Sequence, residues 1–64
     1  MGDTLKVMVV DDHYLVRMGL ASIIAIEPDM TVCAEASSGE QAQQLFRTQR
    51  PDVTLMDLRL PGMN

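Results

Sequence analysis

The run Lys6-Val7-Met8-Val9-Val10 constrains the fold more than any other stretch of this chain. It is too short for a stable helix, and its apolar residues do not alternate with polar ones. A strand of that kind is covered on both faces. Covering both faces takes helices on both sides, which points to parallel strands joined by helical crossovers. The run ends directly in Asp11-Asp12, so two carboxylates stand at the downstream end of a buried strand.

The remaining segments fit the same plan. From about Tyr14 to Ile26 the period is helical, with Val16, Leu20, Ile23 and Ile24 on one stripe. Gly19 costs propensity inside this helix, and close packing against the sheet is the expected reason. Pro28 stops the helix. Met30 to Ala36 reads as a second, weaker strand at a sheet edge. Ser38 and Gln41 have the spacing of a capping box, in which each side chain satisfies a backbone donor of the other residue. Ala42, Leu45 and Phe46 give the second helix its apolar face, while Glu40, Gln43, Gln44 and Arg47 face water. Val53 to Met56 forms a third strand, ending in Asp57. Residues 58–64 form a loop with a Pro-Gly turn signal.

The expected fold class is therefore α/β, in the order β-α-β-α-β. Right-handed crossovers on opposite faces give the parallel strand order 2-1-3. The first and third strands then lie side by side, and the gap between their C-terminal ends is a topological switch point, where open α/β sheets bind ligands. Asp11, Asp12 and Asp57 fall at that point. Like charges brought together repel, so such a cluster calls for a bound cation. A hard divalent ion with oxygen ligands suits it, and Mg²⁺ fits a site of carboxylates, phosphate and water. A strand-end aspartate can be a metal ligand, a general base or a nucleophile, and the neighbours of Asp57 favour the last role, in which a carboxylate attacking phosphorus gives an aspartyl phosphate. The plainer alternatives are local: Asp12 as N-cap of the first helix, His13 as a partly exposed helix-start residue, and Arg59 as a solvated loop arginine.

Size and composition narrow the class. With 64 residues the chain is one small domain or part of one. Cys33 is the single cysteine, which excludes an internal disulfide and reads as a small buried hydrophobe. A net charge of −4 without a basic run argues against direct nucleic-acid binding by this segment. No stretch is long and apolar enough for a membrane span, and the first residues lack a signal-peptide pattern. Lys6 stands where a myristoylation signal at Gly2 would need Ser or Thr. A cytoplasmic location is expected.

The segment Val7-Met8-Val9-Val10-Asp11-Asp12-His13, with Leu15-Val16-Arg17-Met18-Gly19-Leu20, resembles the opening of two-component response-regulator receiver domains. The segment 52–63 resembles their phosphoacceptor region. Asp-Asp-His followed by Leu-Val-Arg-x-Gly-Leu is most similar to the subfamily whose receiver precedes a helix-turn-helix DNA-binding domain. The resemblance implies a flavodoxin-like, doubly wound fold, phosphorylation of Asp57 by a sensor histidine kinase, and no turnover enzyme. It also implies Mg²⁺ held by Asp12, Asp57 and the backbone carbonyl of Arg59, with Asp11 acting mainly through water. An added charge of about −1.5 to −2 would then reposition a distal surface.

By the same resemblance, residues 1–64 are a partial receiver domain, lacking later strands and helices and any effector domain. DNA binding is expected of such an absent domain. Because the third strand of a full receiver lies between the first and the fourth, its far edge here is expected to pair with a second copy. A self-associating assembly fragment without phosphotransfer is the second functional reading. A hydrolase with an aspartate nucleophile is a third, weakened by Arg59 standing where such sites place a second acid.

Overall fold

The computed structural model describes residues 4–56. The elements follow in the order β1 (Leu5–Val10), α1 (Tyr14–Ile26), β2 (Met30–Ala36), α2 (Gly39–Gln49) and β3 (Val53–Met56). The three strands form one parallel sheet in the order β2-β1-β3, as the crossover argument requires. The expected loop over residues 58–64, with Asp57 before it, lies outside the described residues.

β1 is the middle strand, and Val7, Met8, Val9 and Val10 are all at most 2% exposed. Burying each such side chain contributes about 1.5–3 kcal/mol, so this strand dominates the core. Alternation splits its side chains between two layers. Val7 and Val9 pack with Ile24 and Leu20 of α1, while Met8 and Val10 pack with Ala42 and Leu45 of α2. The absence of alternation in the sequence thus reflects two covered faces.

β2 contains an irregularity with a structural purpose. Val7 pairs with Val32 but Met8 pairs with Ala34, so Cys33 is the extra residue of a β-bulge. The bulge reverses the facing of everything after it. Met30 and Val32 join the α1 layer, whereas Ala34 and Ala36 join the α2 layer. Cys33 is free and only partly buried, so its place in the fold is the bulge more than the core.

Two helix details differ from the sequence reading. The α1 stripe is only half covered: Ile24 is buried and Leu20 packs on the core, but Val16 is 43% and Ile23 62% exposed. The register pairs Val53 with Val7 and Leu55 with Val9, which puts Val53 and Leu55 on the α1 side of the sheet, where both remain exposed. Gly19 is not a close-packing glycine. A Cβ there would meet nothing within 4 Å among the described residues, so close approach to the sheet does not explain it.

α2 begins at Ser38, whose hydroxyl accepts the Gln41 N–H at 3.1 Å, as expected of its cap. The return bond goes one residue further back than the capping-box pattern. Gln41 Oε1 accepts the N–H of Ser37 at 2.8 Å and its hydroxyl at 3.1 Å. The helix ends on Arg50 in the left-handed conformation (φ 51°), with its N–H bonded to the Phe46 carbonyl. Asp52 then docks β3 beside β1. Its N–H donates to the Lys6 carbonyl at 2.7 Å and its carboxylate accepts the Lys6 N–H at 2.8 Å. No helix among the described residues is long and apolar enough to cross a membrane.

Candidate metal and phosphoacceptor site

The acidic pair is built by the end of β1. Asp11 N–H donates to the Ala36 carbonyl at 3.0 Å, the last rung between β1 and β2. This rung holds the Asp11 backbone in the sheet, and the residue as a whole is 2% exposed. Burying a carboxylate demands hydrogen bonds. Asp11 Oδ1 accepts the backbone N–H of His13 at 2.8 Å and faces its Nδ1 at 3.2 Å. Asp12 turns outward, with its side chain 36% exposed and its Oδ1 2.9 Å from the same His13 Nδ1. One imidazole nitrogen therefore sits between the two carboxylates, and ligand atoms of Asp11, Asp12 and His13 all lie within 4.8 Å of one another.

Asp12 is not the N-cap of α1. His13 holds that position in extended conformation, without a side-chain cap bond. Asp12 thus remains free of a capping duty, while Asp11 stabilises the turn through the His13 N–H. His13 is an exposed helix-start residue, as in the plainer reading, and its ring nitrogen also faces both acids. Asp57 and Arg59, the other sequence-predicted ligands, lie outside the described residues. The described residues end at Met56, which pairs with Val10, the residue before Asp11.

The sequence reading did not single out Arg17 and Glu35. Arg17 donates from Nη1 to the Asp11 carbonyl at 2.7 Å. Its Nε lies 3.6 Å from Glu35 Oε1, and its guanidinium lies 5.5 Å from the centre of the Tyr14 ring. A signal was present. Arg17 is the only charged residue of α1, and Glu35 the only charged residue of β2. A lone charge in each of two apolar elements suggests that the two meet.

A sheet in this order with an acidic pair beyond its middle strand defines a class, and the sequence comparison agrees with it. The response regulator receiver domain family matches residues 7–64, and the chain belongs to that family. It is similar to the nitrate/nitrite response regulator protein NarL of Escherichia coli (strain K12), at 45% identity over 58 residues, or 91% of this chain and 27% of NarL. The chain therefore spans about a quarter of that relative's length. The signal receiver domain of a NarL regulator from Mycobacterium tuberculosis superposes with a TM-score of 0.89 at 36% identity, over 98% of this chain and 51% of the other. A structure of the CheA3 P1 domain in complex with CheY6 from R. sphaeroides matches with a TM-score of 0.88 at 36% identity, over 97% of this chain and 51% of that one. The flavodoxin-like receiver fold expected from the sequence is thus the fold found.

Proposed function

We propose that this chain is the phosphoacceptor part of a two-component receiver, with Asp57 taking a phosphoryl group from a sensor histidine kinase. The observation that carries the reading is the pairing of Val10 with Met56. It sets the ends of β1 and β3 side by side, so that Asp11 and Asp12 follow one strand and Asp57 follows its neighbour in the chain. In the transfer, the P–N bond of a phosphohistidine breaks as an Asp57 carboxylate oxygen forms a P–O bond, and the electron pair stays on the imidazole nitrogen. The match to a receiver solved with a P1 domain supports a partner of that kind.

The residues fit a hard cation. Asp11 and Asp12 supply carboxylate oxygens, and Asp57 with the Arg59 carbonyl would complete an all-oxygen set of the sort Mg²⁺ takes. When bound, Mg²⁺ supplies positive charge against the phosphoryl oxygens and the clustered acids. Asp12, the more exposed acid, offers the direct ligand, and buried Asp11 acts through water while it holds the turn. The chain acts as an acceptor of the group and does not turn over substrate in this reading.

The test is incubation with acetyl phosphate and Mg²⁺, followed by intact mass. A single phosphoryl adduct that disappears in Asp57→Ala is expected. Absence of any adduct at high donor concentration, or an adduct that survives Asp57→Ala, overturns the reading. The second reading, a self-associating fragment without phosphotransfer, is favoured by one feature. Val53 and Leu55 of β3 are 40% and 38% exposed, and β3 closes one end of the described sheet. Strand edges of this kind pair with other strands.

A further inference from the structure

We propose that Arg17, aligned by Glu35, is a positioning residue for the acidic pair: it fixes the peptide plane joining Asp11 to Asp12 and so sets the direction in which Asp12 is presented. The Asp11 backbone is held from both sides. Its N–H is tied to Ala36 of β2 at 3.0 Å, and its carbonyl receives the Arg17 guanidinium at 2.7 Å. The second bond is short and charge-assisted, and such bonds are roughly twice as strong as neutral ones. Arg17 itself has little freedom. Its side chain is 16% exposed, its Nε faces Glu35, and it lies over Tyr14. The guanidinium therefore links α1, β2 and the peptide that carries Asp12.

The arrangement has a directional consequence. The carbonyl of Asp11 belongs to the same rigid peptide plane as the Asp12 nitrogen, because the amide bond is planar. Pinning that oxygen limits rotation about the bonds on either side of the plane. The His13 N–H bond to Asp11 Oδ1, at 2.8 Å, closes the turn from the other end. Asp12 is thereby left as the outward-facing member of a turn fixed at both ends. A lysine at position 17 keeps the charge but cannot reach the carbonyl and Glu35 with one planar fork. This separates positioning from a general electrostatic effect.

The Mg²⁺ readout rests on the cation-binding reading above, so a second readout is taken without metal. Calorimetric titration with MgCl₂ compares the wild-type chain with Arg17→Ala, Arg17→Lys and Glu35→Gln, each first checked for native circular dichroism. Groups that orient metal ligands typically contribute about 10- to 100-fold to affinity. Arg17→Ala is expected to weaken Mg²⁺ binding within that range, Arg17→Lys to recover only part of it, and Glu35→Gln to fall between wild type and Arg17→Ala. Unchanged affinity in a folded Arg17→Ala protein overturns the inference, as does full recovery in Arg17→Lys. Should Arg17→Ala fail to fold, the Arg17→Lys and Glu35→Gln comparison decides in the same way.

If wild type binds no Mg²⁺, the proposed function falls, and amide hydrogen exchange in the metal-free protein decides this inference alone. Faster exchange at His13 in the variants, with the Leu20 to Ile24 amides unchanged, supports positioning. Unchanged exchange at His13, or a uniform rise along α1, overturns it.

Discussion

Asp11 and Asp12 are neighbours of the same type, yet their surroundings give them opposite roles. Asp11 is buried and accepts a backbone N–H, so Asp11→Ala leaves the His13 amide without its partner. The expected loss is about 1–2 kcal/mol, read as a lowered midpoint in thermal or urea unfolding. Asp12 is partly exposed, and its carboxylate accepts from no backbone donor among the described residues. Asp12→Asn removes one of two adjacent like charges while keeping an oxygen near His13, so the metal-free protein should become slightly more stable. With excess Mg²⁺ the order should reverse, because ligand binding stabilises the native state and the variant loses a ligand. Melting curves with and without Mg²⁺ check both signs. No reversal would count against Asp12 as a ligand.

At the scale of elements, the bulge at Cys33 and the two helices invite separate tests. Deleting Cys33 removes the extra residue and brings β2 into one-to-one register with β1, so Met30 and Val32 stay in the α1 layer and Ala34 and Ala36 in the α2 layer. Cooperative unfolding should therefore survive both the deletion and Cys33→Ser, and its loss in the deletion would show that the fold needs the bulge itself. Gly19 has open space around it and lies in a regular helix. Gly19→Ala should therefore stabilise by about 0.8–1 kcal/mol, a gain of several degrees in midpoint for so small a chain. An unchanged or lowered midpoint would show that something not among the described residues occupies that space. Ser38→Ala removes the cap on the Gln41 N–H and should cost about 1 kcal/mol.

For the whole molecule, the outer strand positions and the uncovered apolar side chains matter most. Domains this small bury only about 60% of their unfolded surface and are marginal alone. Here Leu15, Ile23 and Ile26 of α1 and Val53 and Leu55 of β3 are among the large apolar side chains left exposed. Pairing of two β3 edges would extend the sheet and cover part of this surface. Sedimentation of wild type is expected to show a dimer or larger species, and Leu55→Lys to shift it toward monomer. A well-folded wild-type monomer at high concentration would rule out pairing through β3.

Much of this protein was legible because the relevant signals are local. The unbroken apolar run of β1, the helical stripe of α1, the Ser38 cap and the stop at Pro28 each act within a few residues. Strand order followed as well, since crossover handedness leaves little choice once the elements are known. The placement of Asp11 and Asp12 beyond the central strand was legible for the same reason: they follow a strand that had to be central. Three things were decided only by the tertiary structure. The bulge at Cys33 turns half of β2 toward the other layer, the surface offered to α1 is narrower than its stripe, and Arg17 and Glu35 meet beside Asp11. Each depends on which atoms from distant parts of the chain come within bonding reach, and neither periodicity nor a short motif carries that distance.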